Sequence, residues 1–256
     1  MRQPMIPSMT RLSCGTIRCQ ISGMYVPVAE FELAAGDWIY FSPKVLLWTD
    51  PATTLTIPQP SRGRSPGMIE AHGPGHIGVA ENRAGEVIAL PLRCAQSACV
   101  HPGRFLCATG NVQYQWRPSE VSYTTMAAER EYPAGRYQLD LTAAGRQGLA
   151  LLHASGDAFI RDLADSESVL VSPASLLHWE DTVYLSLHLE FPYVPGQHVR
   201  RVLWRSSRIW LRVCGPGRVV IDSAYGQAED ARKADRQSFA SQQRWDAPAT
   251  TTIAAE

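Results

Sequence analysis

Two phrases of this chain occur twice, in the same order, and that repetition constrains the fold more than any single residue does. The stretch Phe41-Ser-Pro-Lys-Val-Leu-Leu-Trp48, followed by Thr49-Asp50, returns as Val171-Ser-Pro-Ala-Ser-Leu-Leu-His-Trp179, followed by Glu180-Asp181. Gly73-Pro-Gly-His-Ile-Gly-Val79 returns as Gly215-Pro-Gly-Arg-Val-Val-Ile221. The first pair aligns at an offset of 130, which matches Leu33 with Leu163, Asp37 with Glu167, Ile39 with Val169, Ser42 with Ser172 and Pro43 with Pro173. The alignment then needs one extra residue at His178 before Trp179, and by the Gly-Pro-Gly turns the offset has grown to 142. Drift of this kind fits an old duplication with loop insertions, and predicts one architectural unit written twice.

The unit is built of strands. Apolar residues alternate in short runs bounded by glycine, proline and aspartate, as in Tyr25–Val28, Trp38–Phe41, Glu86–Leu92 and Val183–Leu189. Short, evenly spaced strands predict an all-β barrel, sandwich or β-helix in place of alternating strand–helix–strand units. Helix is scarce: only Gln197–Trp204 and Gln227–Arg244 carry weak helical spacing. The reading divides the chain into an N-terminal extension at 1–23, β units at 24–125 and 126–226, and a polar tail at 227–256, helical in part or disordered. Proline fixes φ and cannot donate to a ladder, so Pro43 and Pro173 are expected to bend one strand into the next. Trp48 and Trp179 are expected to plug equivalent ends of the core. Gly73, Gly75, Gly215 and Gly217 are expected to supply backbone angles that other residues resist.

At 256 residues and 45% apolar, the chain can bury a sizeable core. Lysine plus arginine and aspartate plus glutamate both total 24, and a zero balance argues against wholesale binding of nucleic acid or anionic membrane. The N-terminal residues lack the apolar run of a signal peptide, and no window approaches the ~20 apolar residues of a membrane-spanning helix. A soluble, cytoplasmic protein is expected. The cysteines Cys14, Cys19, Cys94, Cys99, Cys107 and Cys214 match neither a paired zinc-site spacing nor a dense disulfide scaffold, which predicts reduced thiols.

Nothing assembles into a reaction. His72 and His76 flank Gly73-Pro-Gly75 with Glu81 beyond, but a cupin-type metal site places its histidines at alternate positions of one strand, so these read as turn residues. His153, His178, Asp157 and Asp181 could be imagined as an acid–base set, yet His178 sits in a strand beside Trp179 and reads as an ordinary strand histidine. No serine lies in a nucleophile elbow and the Gly-Pro-Gly turns lack the context of a phosphate loop. No cofactor or metal is expected. The best case for an anionic partner is Arg200, Arg201, Arg205, Arg208 and Arg212, interleaved with Trp204 and Trp210, since guanidinium forks grip phosphates and indoles stack on bases. A solvated rim with inward tryptophans reads equally well, and nucleic acid is the less favoured partner.

Several of these segments together resemble a known family. They are Leu33-Ala-Ala-Gly-Asp37, Gly73–Ala80 with Gly85–Leu92, Gly103–Thr109, Leu151–Gly156, Ser166–Val171, Leu176–Trp179 and Gly215–Val219. In this order, from about Ala29 to Ser223, they resemble the mitochondrial biogenesis family of altered inheritance of mitochondria protein 24. The resemblance implies a double-stranded β-helix similar to the tryptophan RNA-binding attenuator protein, and self-association as a trimer or ring. It carries no catalytic or metal-binding set, and the loops Ser61–Met68 and Arg200–Arg208 depart from the family pattern. A non-enzymatic β-rich scaffold that self-associates and meets a protein partner is therefore expected; the alternative is a small-ligand or RNA-binding module using the Arg200–Arg212 segment.

Overall fold

The computed structural model of the chain describes residues 9–58, 68–124, 130–189 and 209–224. The described residues form an all-β protein, with antiparallel pairing throughout, no α-helix, and two single 3-10 turns at Pro102–Arg104 and Pro173–Ser175. The two weak helix candidates, Gln197–Trp204 and Gln227–Arg244, lie outside the described residues.

Strands β1 (Met9–Cys14) and β2 (Ile17–Ser22) form a hairpin. They are followed by β3 (Val28–Leu33), β4 (Trp38–Phe41), β5 (Leu46–Thr49), β6 (Thr54–Thr56), β7 (Ile69–His72) and β8 (Gly75–Val79). Within this first unit β8 pairs with β3 and β5, and β7 pairs with β4 and β6. The next unit is β9 (Glu86–Leu92), β10 (Ser97–Val100), β11 (Phe105–Thr109), β12 (Val112–Pro118), a short hairpin of β13 (Tyr123–Thr124) and β14 (Arg130–Glu131), β15 (Tyr137–Ala143) and β16 (Gly148–Ala154). Here β16 pairs with β9 and β11, and β15 with β10 and β12. The last is β17 (Ala158–Leu163), β18 (Ser168–Val171), β19 (Leu176–Glu180), β20 (Tyr184–Leu189), β21 (Ile209–Cys214) and β22 (Gly217–Asp222). In it β22 pairs with β17 and β19, and β21 with β18 and β20.

The same pairing scheme therefore runs three times, where the sequence predicted two units. The expected boundary at 125/126 cannot stand, because β9–β16 and β12–β15 pair across it. Local hydrogen bonds confirm the correspondence. The first turn of each unit closes by a side-chain oxygen accepting from a backbone N–H three residues earlier: Asp37 from Ala34 (3.1 Å), Gln96 from Arg93 (3.0 Å) and Glu167 from Ala164 (3.2 Å). The second turn carries proline each time, with Ser42, His101 and Ser172 accepting from Val45, Arg104 and Ser175 at 3.1, 2.9 and 2.9 Å. Beyond the next strand, the side chains of Asp50, Thr109 and Glu180 accept from the backbone of His76 (2.9 Å), Leu149 (3.1 Å) and Arg218 (2.9 Å). Pro43 and Pro173 thus stand at strand-joining turns, and Pro102 is their third counterpart.

A register irregularity recurs at Leu46/Trp48, Phe105/Cys107 and Leu176/His178. It corrects the alignment of the first echo. Trp48 corresponds to Cys107 and His178, and Thr49 to Ala108 and Trp179, so no residue is inserted at His178. Trp48 and Trp179 do not occupy equivalent places: Trp179 is buried in the core of the last unit, whereas Trp48 lies 38% exposed with its indole over Gly78. The offset grows later, between β6 and β7 against β20 and β21.

Neighbouring units share sheets. Strand β4 of the first unit pairs with β11 of the second, and β10 of the second with β19 of the third. These junctions create two six-stranded sheets, β6-β7-β4-β11-β16-β9 and β12-β15-β10-β19-β22-β17. Strand β16 lies inside the first of them and is buried at every position, which explains its unbroken apolar run Leu149–Leu152. The N-terminal hairpin is no separate extension. It adds β2 to the edge of β3, buries Cys14, Ile17 and Cys19 in the first unit's core, and is latched by the Thr16 hydroxyl donating to Asp37 at 2.7 Å.

Candidate functional site

The feature with the clearest chemical consequence is a pair of strand edges left bare by a pattern satisfied everywhere else. At the first junction Phe41, Tyr40 and Ile39 face Cys107, Ala108 and Thr109; at the second, Val100, Cys99 and Ala98 face His178, Trp179 and Glu180. These are corresponding residues of successive units. Continuing the series would set Val171, Leu170 and Val169 of β18 against Trp48, Thr49 and Asp50 of β5. Among the described residues, β18 pairs only with β21 and β5 only with β8. Both outer edges are free.

Burial follows the pairing. Leu106 and Leu177 are 0% exposed, whereas their counterpart Leu47 is 58% exposed. His178 is buried and Trp48 is not; Tyr40 and Cys99 are buried, while their counterpart Leu170 is 42% exposed. The same holds one strand further out. Tyr114 and Trp116 of β12 pack against the second unit's core, and Leu185 and Leu187 of β20 against the third's, but Leu55 and Ile57 at the matching places face solvent. Exposed apolar groups on an unpaired edge are a template for strand addition.

The junction between the second and third units holds a buried ion pair. Arg104, on the 3-10 turn at Pro102–Arg104, lies 3.1 Å from Asp222 at the end of β22, with both side chains almost wholly buried. The guanidinium also donates to Ser155 Oγ at 2.5 Å and to the Ala174 carbonyl at 3.3 Å. Asp222 accepts from the backbone of Ser155 (2.8 Å), Gly156 (2.9 Å) and Ala224 (3.0 Å). Burial pulls the Arg104 pKa down and the Asp222 carboxylate opposes that pull. This pair holds four chain segments together, a structural use of charge.

The histidines singled out in the sequence do not converge. His72 ends β7, stacks on Trp38 at 5.6 Å and meets Glu70 at 3.1 Å; His76 is the second residue of β8 and lies 3.4 Å from Glu30. His153 is buried in β16, its pKa lowered first by desolvation. His178 is buried in β19, where desolvation lowers its pKa to about 4, and its Nδ1 has no hydrogen-bond partner among the described residues. Burial pushes the Cys19 and Cys99 thiols up to about 12 and raises Cys107 well above the usual range, so these sulfurs stay protonated. Among the described residues no group of three or more His, Cys, Asp and Glu side chains could hold a metal ion. Arg200, Arg201, Arg205 and Arg208 lie outside the described residues; of that segment Arg212 is placed, exposed on β21. The glycines of both echoes do flank tight turns: Gly75 and Gly217 have φ of 138° and 137°, where an L side chain is strained.

Sequence reasoning missed Arg104, Asp222 and the third unit. The available signal was His101-Pro102, which stands at the place of the two Ser-Pro pairs. It was masked because the middle unit replaces Gly-Pro-Gly with Ala144-Gly-Arg-Gln-Gly148.

Fold and site together define an all-β protein of three sheet-sharing units, with two complementary edges that no described strand covers. The family model for mitochondrial biogenesis AIM24 matches residues 19–224. The chain belongs to that family, as the resemblance of its segments led one to expect. A crystal structure of a Streptococcus pyogenes protein from a structural-genomics programme is similar to it, with a TM-score of 0.62 at 19% identity, covering 90% of this chain and 99% of that one. At this identity the likeness shows the fold. No curated protein matches the chain. Among the described residues no helix is long and apolar enough to cross a membrane.

Proposed function

We propose that this protein is a non-enzymatic β-rich scaffold that assembles head to tail, β18 of one copy adding to β5 of the next. The observation that carries the reading is that Leu47, Trp48 and Leu170 are exposed where their counterparts at both internal junctions are buried. Added copies would extend the series of junctions that the chain already contains twice. Because the two edges differ, the contact is heterologous, and such contacts build closed rings or open filaments. In this reading the three units are copies of one ancestral module, the earlier two-copy expectation enlarged by one, and the fold is of the double-stranded β-helix kind. A trimer or other ring is the assembly that closes the edges, and a protein partner would dock on its outer faces. The unpaired state of all six cysteines supports a cytoplasmic location.

The test uses two single variants. Charge on an edge strand opposes strand addition, so Leu47→Lys disables β5 and Leu170→Lys disables β18. Wild-type protein is expected to sediment as an oligomer at micromolar concentration and each variant alone as a monomer. Mixed one to one, the variants retain one good edge of each kind and should stop at a dimer. A wild type that stays monomeric, or variants that both keep the wild-type assembly, would refute the proposal.

A further inference from the structure

Strands β3, β9 and β17 hold the same place in the three units, and each pairs along its inner edge with β8, β16 or β22. Their outer edges are treated in three different ways. The residues to compare are Glu32, Pro91 and Asp162, which lie opposite His76, Leu149 and Arg218. Those three partners turn their backbone N–H groups the other way, to the side chains of Asp50, Thr109 and Glu180. Antiparallel ladders alternate hydrogen-bonded and non-hydrogen-bonded pairs. Glu32, Pro91 and Asp162 therefore direct their own backbone groups at the outer edge.

In the first unit that edge is filled. Strand β2 adds to β3, setting Arg18 opposite Glu32 and Gln20 opposite Glu30, and Ala29 and Phe31 are left 0% and 1% exposed beside the hairpin's Cys14, Ile17 and Cys19. In the second unit the edge is blocked. Proline has no N–H to offer a further strand, and Pro91 stands where that donor would be needed. In the third unit it is neither filled nor blocked. Ala158 donates its outward N–H to Glu86 at 3.1 Å, but among the described residues no hydrogen bond reaches the outward backbone of Ile160 or Asp162.

Side chains select the occupant. Phe159 takes the place of the buried Ala29 and is 57% exposed, and Ile160, on the opposite face of the strand, is 59% exposed. The charges of β17 are already matched, Arg161 with Glu167 at 3.2 Å and Asp162 with Arg218 at 2.7 Å. A charged residue brought beside them meets no unpaired counter-charge, whereas an apolar residue on either face covers Phe159 or Ile160. More exposed apolar surface lies alongside. Glu86, which bonds Ala158, follows Gly85, whose N–H donates to the Tyr25 carbonyl, and Met24, Tyr25 and Val26 are all exposed.

We infer that the outer edge of β17 is a strand-addition site for a protein partner, taking an extended, uncharged segment with apolar side chains on both faces. The segment pairs through the backbone of Ile160 and Asp162, antiparallel to β17 as β2 is to β3. The site uses neither β5 nor β18, so it stands apart from head-to-tail assembly and can be read with both of those edges disabled.

The test protein carries Leu47→Lys and Leu170→Lys together. The probe is the peptide Thr-Val-Tyr-Val-Thr, with fluorescein at its N-terminus and an amide at its C-terminus, and binding is read by fluorescence anisotropy. It is expected to bind with Kd below about 1 mM. A twin with lysine at both valine positions, and one with its pairing amides N-methylated, should bind about tenfold more weakly or worse. Asp162→Pro copies the block that Pro91 supplies in β9, removes only an exposed ion pair, and should abolish binding, whereas Asp162→Asn should keep it. Ile160→Lys leaves the ladder to β22 intact and should lose binding likewise, which keeps the inference testable if the proline variant does not fold. Any of four results overturns it: no binding to folded protein at about 1 mM, equal binding of the lysine or N-methylated twin, unchanged affinity in a natively folded Asp162→Pro or Ile160→Lys variant, or a dimer of the test protein that Asp162→Pro abolishes, which would give this edge to a second copy.

Discussion

Removing the Arg104 guanidinium tests whether the second and third units are held together by a buried charge pair. In Arg104→Ala, Asp222 keeps its three backbone N–H donors but loses its counter-charge while remaining almost wholly buried. Breaking a buried ion pair from one side costs about 3–5 kcal/mol, because the surviving charge stays out of water without compensation. Ser155 Oγ and the Ala174 carbonyl lose their donors as well, which places the expectation toward the upper end. A chain of this size loses about 2–4 °C of melting temperature per kcal/mol, so the drop should be about 6–20 °C by calorimetry or circular dichroism. Arg104→Lys keeps a charge but not the fork that reaches Asp222, Ser155 and Ala174 at once, and should fall between the two. A drop in Arg104→Ala of less than about 3 °C would refute the reasoning, showing that the three backbone dipoles alone neutralise Asp222.

Further expectations concern pH and backbone geometry. His178 is neutral when folded, with a pKa near 4 against 6.5 for the free side chain, so the unfolded chain takes up a proton that the folded chain refuses. Its contribution is complete above about pH 6.5 and is lost as pH falls toward 4, amounting to about 2 kcal/mol by pH 5; His178→Leu should make the acid limb of a stability–pH curve shallower by about one proton, and an unchanged limb would count against it. At Gly217 the φ of 137° disfavours a side chain, and an added Cβ would meet Thr182 Oγ1 at 2.6 Å and Val183 Cγ2 at 2.8 Å. Gly217→Val, and likewise Gly75→Val, should therefore destabilise by about 1–3 kcal/mol, read as a lower urea midpoint with unchanged slope.

How much was legible before any coordinates can be judged from particular residues. Alternation and turn chemistry in segments such as Trp38–Phe41 and Val112–Trp116 sufficed for an all-β fold, because strand period and turn residues are local properties. The Ser-Pro and Gly-Pro-Gly echoes correctly marked equivalent turns. Trp48 and Trp179 misled, since two identical side chains one position apart outweighed the backbone register that makes His178 the counterpart of Trp48. The paired carboxylate and arginine at Asp222 and Arg104 were invisible, being more than a hundred residues apart.

The sequence by itself determined that strands would form, where the first and last units turn, and that these two units are alike. The middle unit is encoded too, in Gln96 at the place of Asp37 and Glu167 and in Pro102 at the place of Pro43 and Pro173, but a first turn that a carboxylate or an amide can close, and a second held by a backbone carbonyl, leave that one proline as the shared letter. Only the tertiary structure decided that the units number three, that the N-terminal hairpin belongs to the first, and that Leu47 and Leu170 are exposed while Leu106, Leu177 and Cys99 are buried. The reason is physical. Whether an apolar strand edge is covered depends on which distant strand lies beside it, and that neighbour is set by how successive units pack.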